Sequence, residues 1–244
     1  MSTVAKNRNR CFFSINNFSQ TSDTNEKDYV DTSLIPGGYG IYAFYYNRGD
    51  SGDSTGIMAD TLQNVYSLEK ETSVFHLSTS YNKTELLIYT NEGGKAYLTV
   101  LDIDTLEQKQ KLQIAEEGLY SVHEYDNFIV AESEKNITVL TSDKDGYTVE
   151  YTVPKANVIY EKCQDFWNVG DMDFKDGKLA TVGKIIDVDD GFGFEKCGFF
   201  VSVYNKDGLC FYAEYSNALD VNTNGDHNKS CRPADIEANT IKWE

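Results

Sequence analysis

The chain has 244 residues, of which 40% are hydrophobic and 13% aromatic, and its formal net charge is -17. That apolar content supports a sizeable core and excludes an intrinsically disordered chain. So much negative charge, with no basic stripe to offset it, excludes nucleic acid as a partner. No run approaches the roughly 20 apolar residues of a membrane helix, so direct membrane insertion is not expected either.

In chain order, the opening MSTVAKNRNRCFFSINNFSQ carries basic residues ahead of a short apolar run, too short for the core of a signal peptide. A signal or anchor, if there is one, would lie upstream. Residues 1–36 are expected to be partly irregular, with CFFSINNF strand-like and the polar stretch 19–36 a loop. GGYGIYAFYYN, residues 37–47, predicts a strand, since aromatic and β-branched side chains favour a pleated surface. After the polar loop NRGDSGDSTG, residues 56–71 are expected to supply the next pair of strands, completing a degenerate unit. Arg48, Gly49 and Asp50 match an integrin-binding tripeptide, a pattern short enough to arise often by chance.

From residue 73 onward the chain repeats itself. LTVLDIDTLEQKQKLQI from Leu98, ITVLTSDKDGYTVEYTV from Ile137 and VSVYNKDGLCFYAEYS from Val201 each read as an alternating strand, a polar turn and a second strand. Before each pair stand two more strand-length runs. The turns are explicit, with EGGK at 92–95 and KDGK at 175–178, where glycine supplies the positive φ of a tight hairpin. Four-stranded units are therefore predicted near 73–117, 119–157 and 166–218, with Val100, Val139 and Val203 at equivalent buried positions. The third unit carries an insertion, residues 185–197 (IIDVDDGFGFEKC), expected to project as a loop or hairpin between its second and third strands. The remainder, 219–244, reads as a loop and a last strand, NTIKWE, closing onto the N-terminal one.

The blades YLTVLDIDTLEQKQKLQI and NITVLTSDKDGYTVEYTV resemble those of bacterial β-propellers with YVTN- or WD40-like repeats, over roughly residues 73–218. The Gly-His and Trp-Asp markers of true WD40 blades are absent. The resemblance implies an all-β fold, a β-propeller-like array of four-stranded antiparallel blades in a single domain spanning 1–244, as a closed, partial or open ring. A β-sandwich or plain meander is the alternative that strand alternation alone leaves open.

Candidate sites are few. DVNTNGDHN places Asp220, Asn222, Asn224 and Asp226 at alternate positions around Gly225, the oxygen spacing of a calcium loop, although Cys231 stands where a bidentate glutamate closes an EF-type loop. Calcium is the one cofactor the chain suggests, and a plain Asn-Gly turn explains the same residues. In the insertion, Asp187, Asp189, Asp190 and Glu195 fit no standard cation loop, and Phe192 and Phe194 either fold back on the blade or offer a contact surface. Of the three histidines, His76 and His123 fall on the first strands of successive units and His227 in the C-terminal loop. The five cysteines, Cys11, Cys163, Cys197, Cys210 and Cys231, form no CxxC pair. No GxSxG, HExxH or phosphate-binding glycine loop is present, so no catalytic residue is assigned. The sequence points to a non-enzymatic, extracytoplasmic or cell-surface binding or scaffolding module for a protein, peptide or carbohydrate, with a cytoplasmic setting as the alternative. A hydrolase or lyase with its site at a propeller channel, and a truncated structural remnant, are the other readings.

Overall fold

The computed structural model describes residues 4–15, 18–20, 27–29, 37–48, 54–69, 71–155, 169–189, 193–218 and 240–243. Among these there is no helix. The fold is all-β and propeller-like, with four four-stranded antiparallel sheets and one two-stranded pair.

The first sheet orders its strands β1 (Val4–Asn7), β2 (Arg10–Ile15), β5 (Gly40–Arg48) and β6 (Ser54–Ser67). The second is an up-and-down meander of β7 (Ser73–Thr79), β8 (Glu85–Glu92), β9 (Lys95–Asp102) and β10 (Gln108–Ala115). The third runs β11 (Leu119–Glu124), β12 (Phe128–Ser133), β13 (Asn136–Asp143) and β14 (Gly146–Pro154). The fourth runs β15 (Val169–Lys175), β16 (Lys178–Asp189), β17 (Gly193–Asn205) and β18 (Gly208–Ala218). The turns follow their glycines. Gly93 and Gly94 hold φ of 57° and 84° between β8 and β9, and Asp176 and Gly177 hold 51° and 73° between β15 and β16. Two consecutive positive φ values give the turn whose twist matches that of the flanking strands.

Three local expectations change, and one holds in its hairpin form. Residues 56–71 do not form two strands, because β6 is one 14-residue strand that stays paired with β5 through register shifts at Ile41/Tyr42, Ala43/Tyr45 and Asn47/Arg48. Bulges let a long strand follow its partner's twist without a turn. The polar stretch after residue 18 contains a short pair, β3 (Phe18–Gln20) with β4 (Lys27–Tyr29). The insertion takes the hairpin form expected of it: Ile185 pairs with Gly198, Asp187 with Lys196 and Asp189 with Gly193, so β16 and β17 continue as a ladder into it. The segment NTIKWE forms no closing strand over 240–243. Its Ile241 and Trp243 amides instead donate to Asp171 Oδ2 at 3.1 Å and Asp173 Oδ2 at 2.7 Å, carboxylates on β15.

The chain divides into two compact units, one from residues 1–134 with 142–147, the other from 135–141 with 148–244. In the first, Ala5, Phe12, Ile41 and Ala43 of the first sheet pack on Val74, Leu77, Leu86, Ile88 and Leu101 of the second. Alternation along each strand puts these side chains on one face and leaves Lys6, Cys11, Phe44 and Tyr46 on the other. In the second unit the buried set includes Val139, Leu140, Met172, Leu179, Val182, Phe200 and Tyr204.

The repeat shows a shared device one position before the predicted valines. Thr99, Thr138 and Ser202 are all buried hydroxyls on the third strand of their sheets. Thr138 pairs with Thr152 at 3.0 Å and Ser202 with Thr181 at 2.6 Å, while Thr99 Oγ1 has no partner among the described residues. Val100 and Val139 are buried as expected, but Val203 is only half-buried. Its sheet buries Tyr204 and Ser202 instead, so the predicted equivalence fails at the third copy.

Candidate functional site

Two surfaces of the first unit gather chemistry. The first is built around Glu124, the last residue of β11. Its Oε1 accepts from the Tyr89 hydroxyl at 2.7 Å and from the Ser78 hydroxyl, and its Oε2 lies 3.8 Å from His76 Nε2. His76 and Ser78 alternate along β7, so they share a face, and Tyr89 stands opposite His76 on β8. Three hydroxyl or ring donors from the second sheet thus converge on one carboxylate of the third. Burial pushes the Glu124 pKa up, but the nearby His76 ring and the hydrogen bonds from Ser78 and Tyr89 outweigh it and hold the group below the ordinary carboxylate value. The Tyr89 phenol is pushed well above its ordinary value, first by burial and then by the adjacent carboxylate.

This cluster is a fixed anion and not a proton-transfer pair. The Ser78 hydroxyl donates a hydrogen bond to the carboxylate, no hydrogen bond joins Ser78 to His76, and a depressed carboxylate pKa makes a weak base. His123, on the first strand of the next unit, takes its own partners. Its Nε2 lies 3.4 Å from Ser121 Oγ, which donates to Glu132 at 2.8 Å. Burial lowers the His123 pKa, opposed by Glu132. Among the described residues no three His, Cys, Asp or Glu side chains group as metal ligands.

A shallow notch adjoins Glu124, lined by Tyr81, Glu124, Tyr125, Asp126, Ser142 and Tyr147 among others. Tyr81 belongs to the β7–β8 turn and is 73% exposed. Tyr125 and Asp126 form the β11–β12 turn, where the Tyr125 ring stacks on Phe128 with centroids 4.4 Å apart. Tyr147 is tied down by Gln110, whose Oε1 accepts from the Tyr147 amide at 2.9 Å while its Nε2 donates to the Tyr147 carbonyl at 2.7 Å. The notch encloses only about 20 Å³. A small-molecule site normally measures several hundred.

The second surface is a cleft of about 400 Å³ on the outer face of the first sheet, lined by Lys6, Cys11, Phe44, Tyr46, Gly56 and Ile57. Neither surface was legible beforehand, because each is assembled from turns and strand faces distant in sequence.

Several predicted site residues fall elsewhere. Asp220, Asn222, Asn224 and Asp226 lie outside the described residues, as do His227, Gly49, Asp50, Cys163, Cys231, Asp190 and Phe192. Asp187 and Asp189 are on β16, and Phe194, Glu195 and Cys197 on β17. Cys11 is buried and Cys210 exposed, both free thiols.

No family model and no curated protein matches the chain. Solved structures do. A chain in the crystal structure of the Mitotic Checkpoint Complex is 10% identical with a TM-score of 0.43, over 88% of this chain and 50% of that one. The Cps50 (Swd1) β-propeller domain from Myceliophteria thermophila is 10% identical with a TM-score of 0.39, over 87% and 72%. The N-terminal domain of Nup159 is 13% identical with a TM-score of 0.42, over 88% and 47%. The chain spans about half the length of the first and third of these.

Proposed function

We propose that this protein is a binding or scaffolding module whose recognition surface is the Glu124 notch, and that it takes a lysine or arginine side chain presented by a partner protein. The observation that carries the reading is the convergence of three tyrosines, Tyr81, Tyr125 and Tyr147, with two carboxylates, Glu124 and Asp126, on one notch too small for a whole metabolite. Ring faces attract a cation, and carboxylates supply charge-assisted hydrogen bonds to it. Because Glu124 is held below the ordinary carboxylate pKa by donors from the neighbouring sheet, its charge is pre-positioned. The net charge of -17 steers cationic partners toward the molecule at low salt. An extracytoplasmic or cell-surface setting belongs to the same proposal and rests on the repeat's resemblance to bacterial propellers.

The test uses an arginine- and lysine-containing decapeptide at physiological salt, followed by calorimetry. Binding should weaken about tenfold in Tyr81→Ala, which removes an exposed ring, and also in Asp126→Asn. Equal affinity for the unaltered protein and both variants would mean that the peptide senses only overall charge, and the notch reading would fall.

A further inference from the structure

The cleft on the first sheet has a different character. Lys6, Cys11 and Phe44 form a cross-strand row, Lys6 opposite Cys11 and Cys11 opposite Phe44. Tyr46, two residues on from Phe44 and on the same face, stands opposite Ile57 of β6. The face is strongly apolar yet open, since Ile57 is 66% and Val4 52% exposed. At about 400 Å³ the cleft lies within the range of small-ligand sites. Gly56 adds to the room, because a Cβ there would meet nothing within 4 Å.

Charge separates this cleft from the rest of the molecule. In a chain of net charge -17, three of the cations fall within five residues, Lys6, Arg8 and Arg10. Among the described lining residues Lys6 is the one charged group, and no carboxylate faces it there. The β1–β2 hairpin that carries Lys6 is anchored by the cleft itself. The Tyr46 hydroxyl donates to the Arg8 carbonyl at 2.6 Å, and the Tyr46 amide donates to the Asn9 carbonyl at 2.9 Å. On the opposite face the Arg10 guanidinium donates to the Ile103 carbonyl at 3.1 Å and lies over the Phe12 and Tyr45 rings. Hydrogen bonds therefore hold the hairpin on both sides, and the ammonium is presented at the rim of an apolar cleft.

We propose that this cleft binds a small monomeric anion with an apolar body, an alkyl or aryl carboxylate, its acid group on Lys6 and its body against Phe44, Tyr46 and Ile57. An apolar body gains from covering exposed side chains, and the ammonium selects a carboxylate end over a neutral or cationic one. The site is separate from the Glu124 notch in residues and in the sign of its ligand.

The test uses the full chain with dodecanoate below its micellar concentration. Saturable binding by calorimetry is expected, about fivefold weaker in Lys6→Gln and retained in Lys6→Arg, as suits an exposed ion pair. Dodecanoate should also slow alkylation of Cys11, read by peptide mapping so that the other four cysteines do not confuse the rate. Lys6 is exposed, so its variants should fold, which their melting temperatures will check. Absence of saturable binding would overturn the proposal, as would equal affinity in Lys6→Gln or an unchanged Cys11 alkylation rate. Sedimentation with anionic phospholipid vesicles without protection of Cys11 by dodecanoate would also overturn it, because the face would then meet a membrane surface.

Discussion

The Tyr89 phenol, fully buried on β8, donates a 2.7 Å hydrogen bond to Glu124 Oε1, a residue 35 positions along the chain on another sheet. A buried phenol without an acceptor would cost the desolvation of its hydroxyl, so the two sheets hold each other partly through this contact. Tyr89→Phe is expected to lose about 1 kcal/mol in urea unfolding, since Ser78 and His76 still engage the carboxylate.

Glu124 makes a pH prediction whose sign is set by its depressed pKa. The folded state holds the carboxylate below its unfolded value, so the contribution is complete above the unfolded value, near about 4.3, and is lost as pH falls through the folded one. Glu124→Gln should therefore lower the melting temperature at pH 7, and the gap to the unaltered protein should narrow as pH falls from about 4.3 toward 3. A gap that stays constant over that range would contradict it.

His123 acts at higher pH. Its folded pKa is lowered by burial, so as pH falls through about 6.5 the unfolded chain takes up the proton first and stability declines. The decline ends once pH passes the folded value. His123→Gln should flatten the melting-temperature profile between about pH 7 and 5, apart from any contribution of the other two histidines.

The hydroxyls on the third strands should respond with opposite signs. Thr99 Oγ1 is buried without a partner among the described residues, so Thr99→Val is expected to stabilise by about 1 kcal/mol. Ser202→Ala orphans the fully buried Thr181 hydroxyl and should cost about 1–2 kcal/mol. Chemical denaturation of the two variants reads both signs.

The valine series separates repeat from burial. Val139 is fully buried, and Val139→Asp should destabilise by roughly 4 kcal/mol or more. Val203 is half-buried, and Val203→Asp should cost clearly less by the same measurement. Equal losses would mean that the two positions are equivalent after all.

Local rules were enough for the elements. Glycines 93, 94 and 177 demand positive φ, and the period-2 alternation in LTVL and ITVL marks strands that share a ladder. The three units near 73–117, 119–157 and 166–218 therefore follow from short-range chemistry. The long strand β6 was misread as two because nothing in GIMADTLQNVYS announces a bulge. A bulge answers the twist of the partner strand, which only pairing with β5 imposes.

The sites belong to the tertiary structure. His76 and Ser78 are visible as neighbours on one strand face, but nothing local says that Glu124 of another sheet will accept from Ser78 and Tyr89 and lie 3.8 Å from the His76 ring. The failed equivalence at Val203 has the same origin, since repetition sets strand and face while burial depends on the sheet packed above. By itself the sequence determined an all-β repeat of hairpins and an acidic molecule, because turn geometry and side-chain alternation act within a few residues. Only the tertiary structure decided which carboxylate is clamped, which tyrosines share a notch and which lysine stands over an apolar cleft, because those contacts depend on sheet packing between residues far apart in the chain.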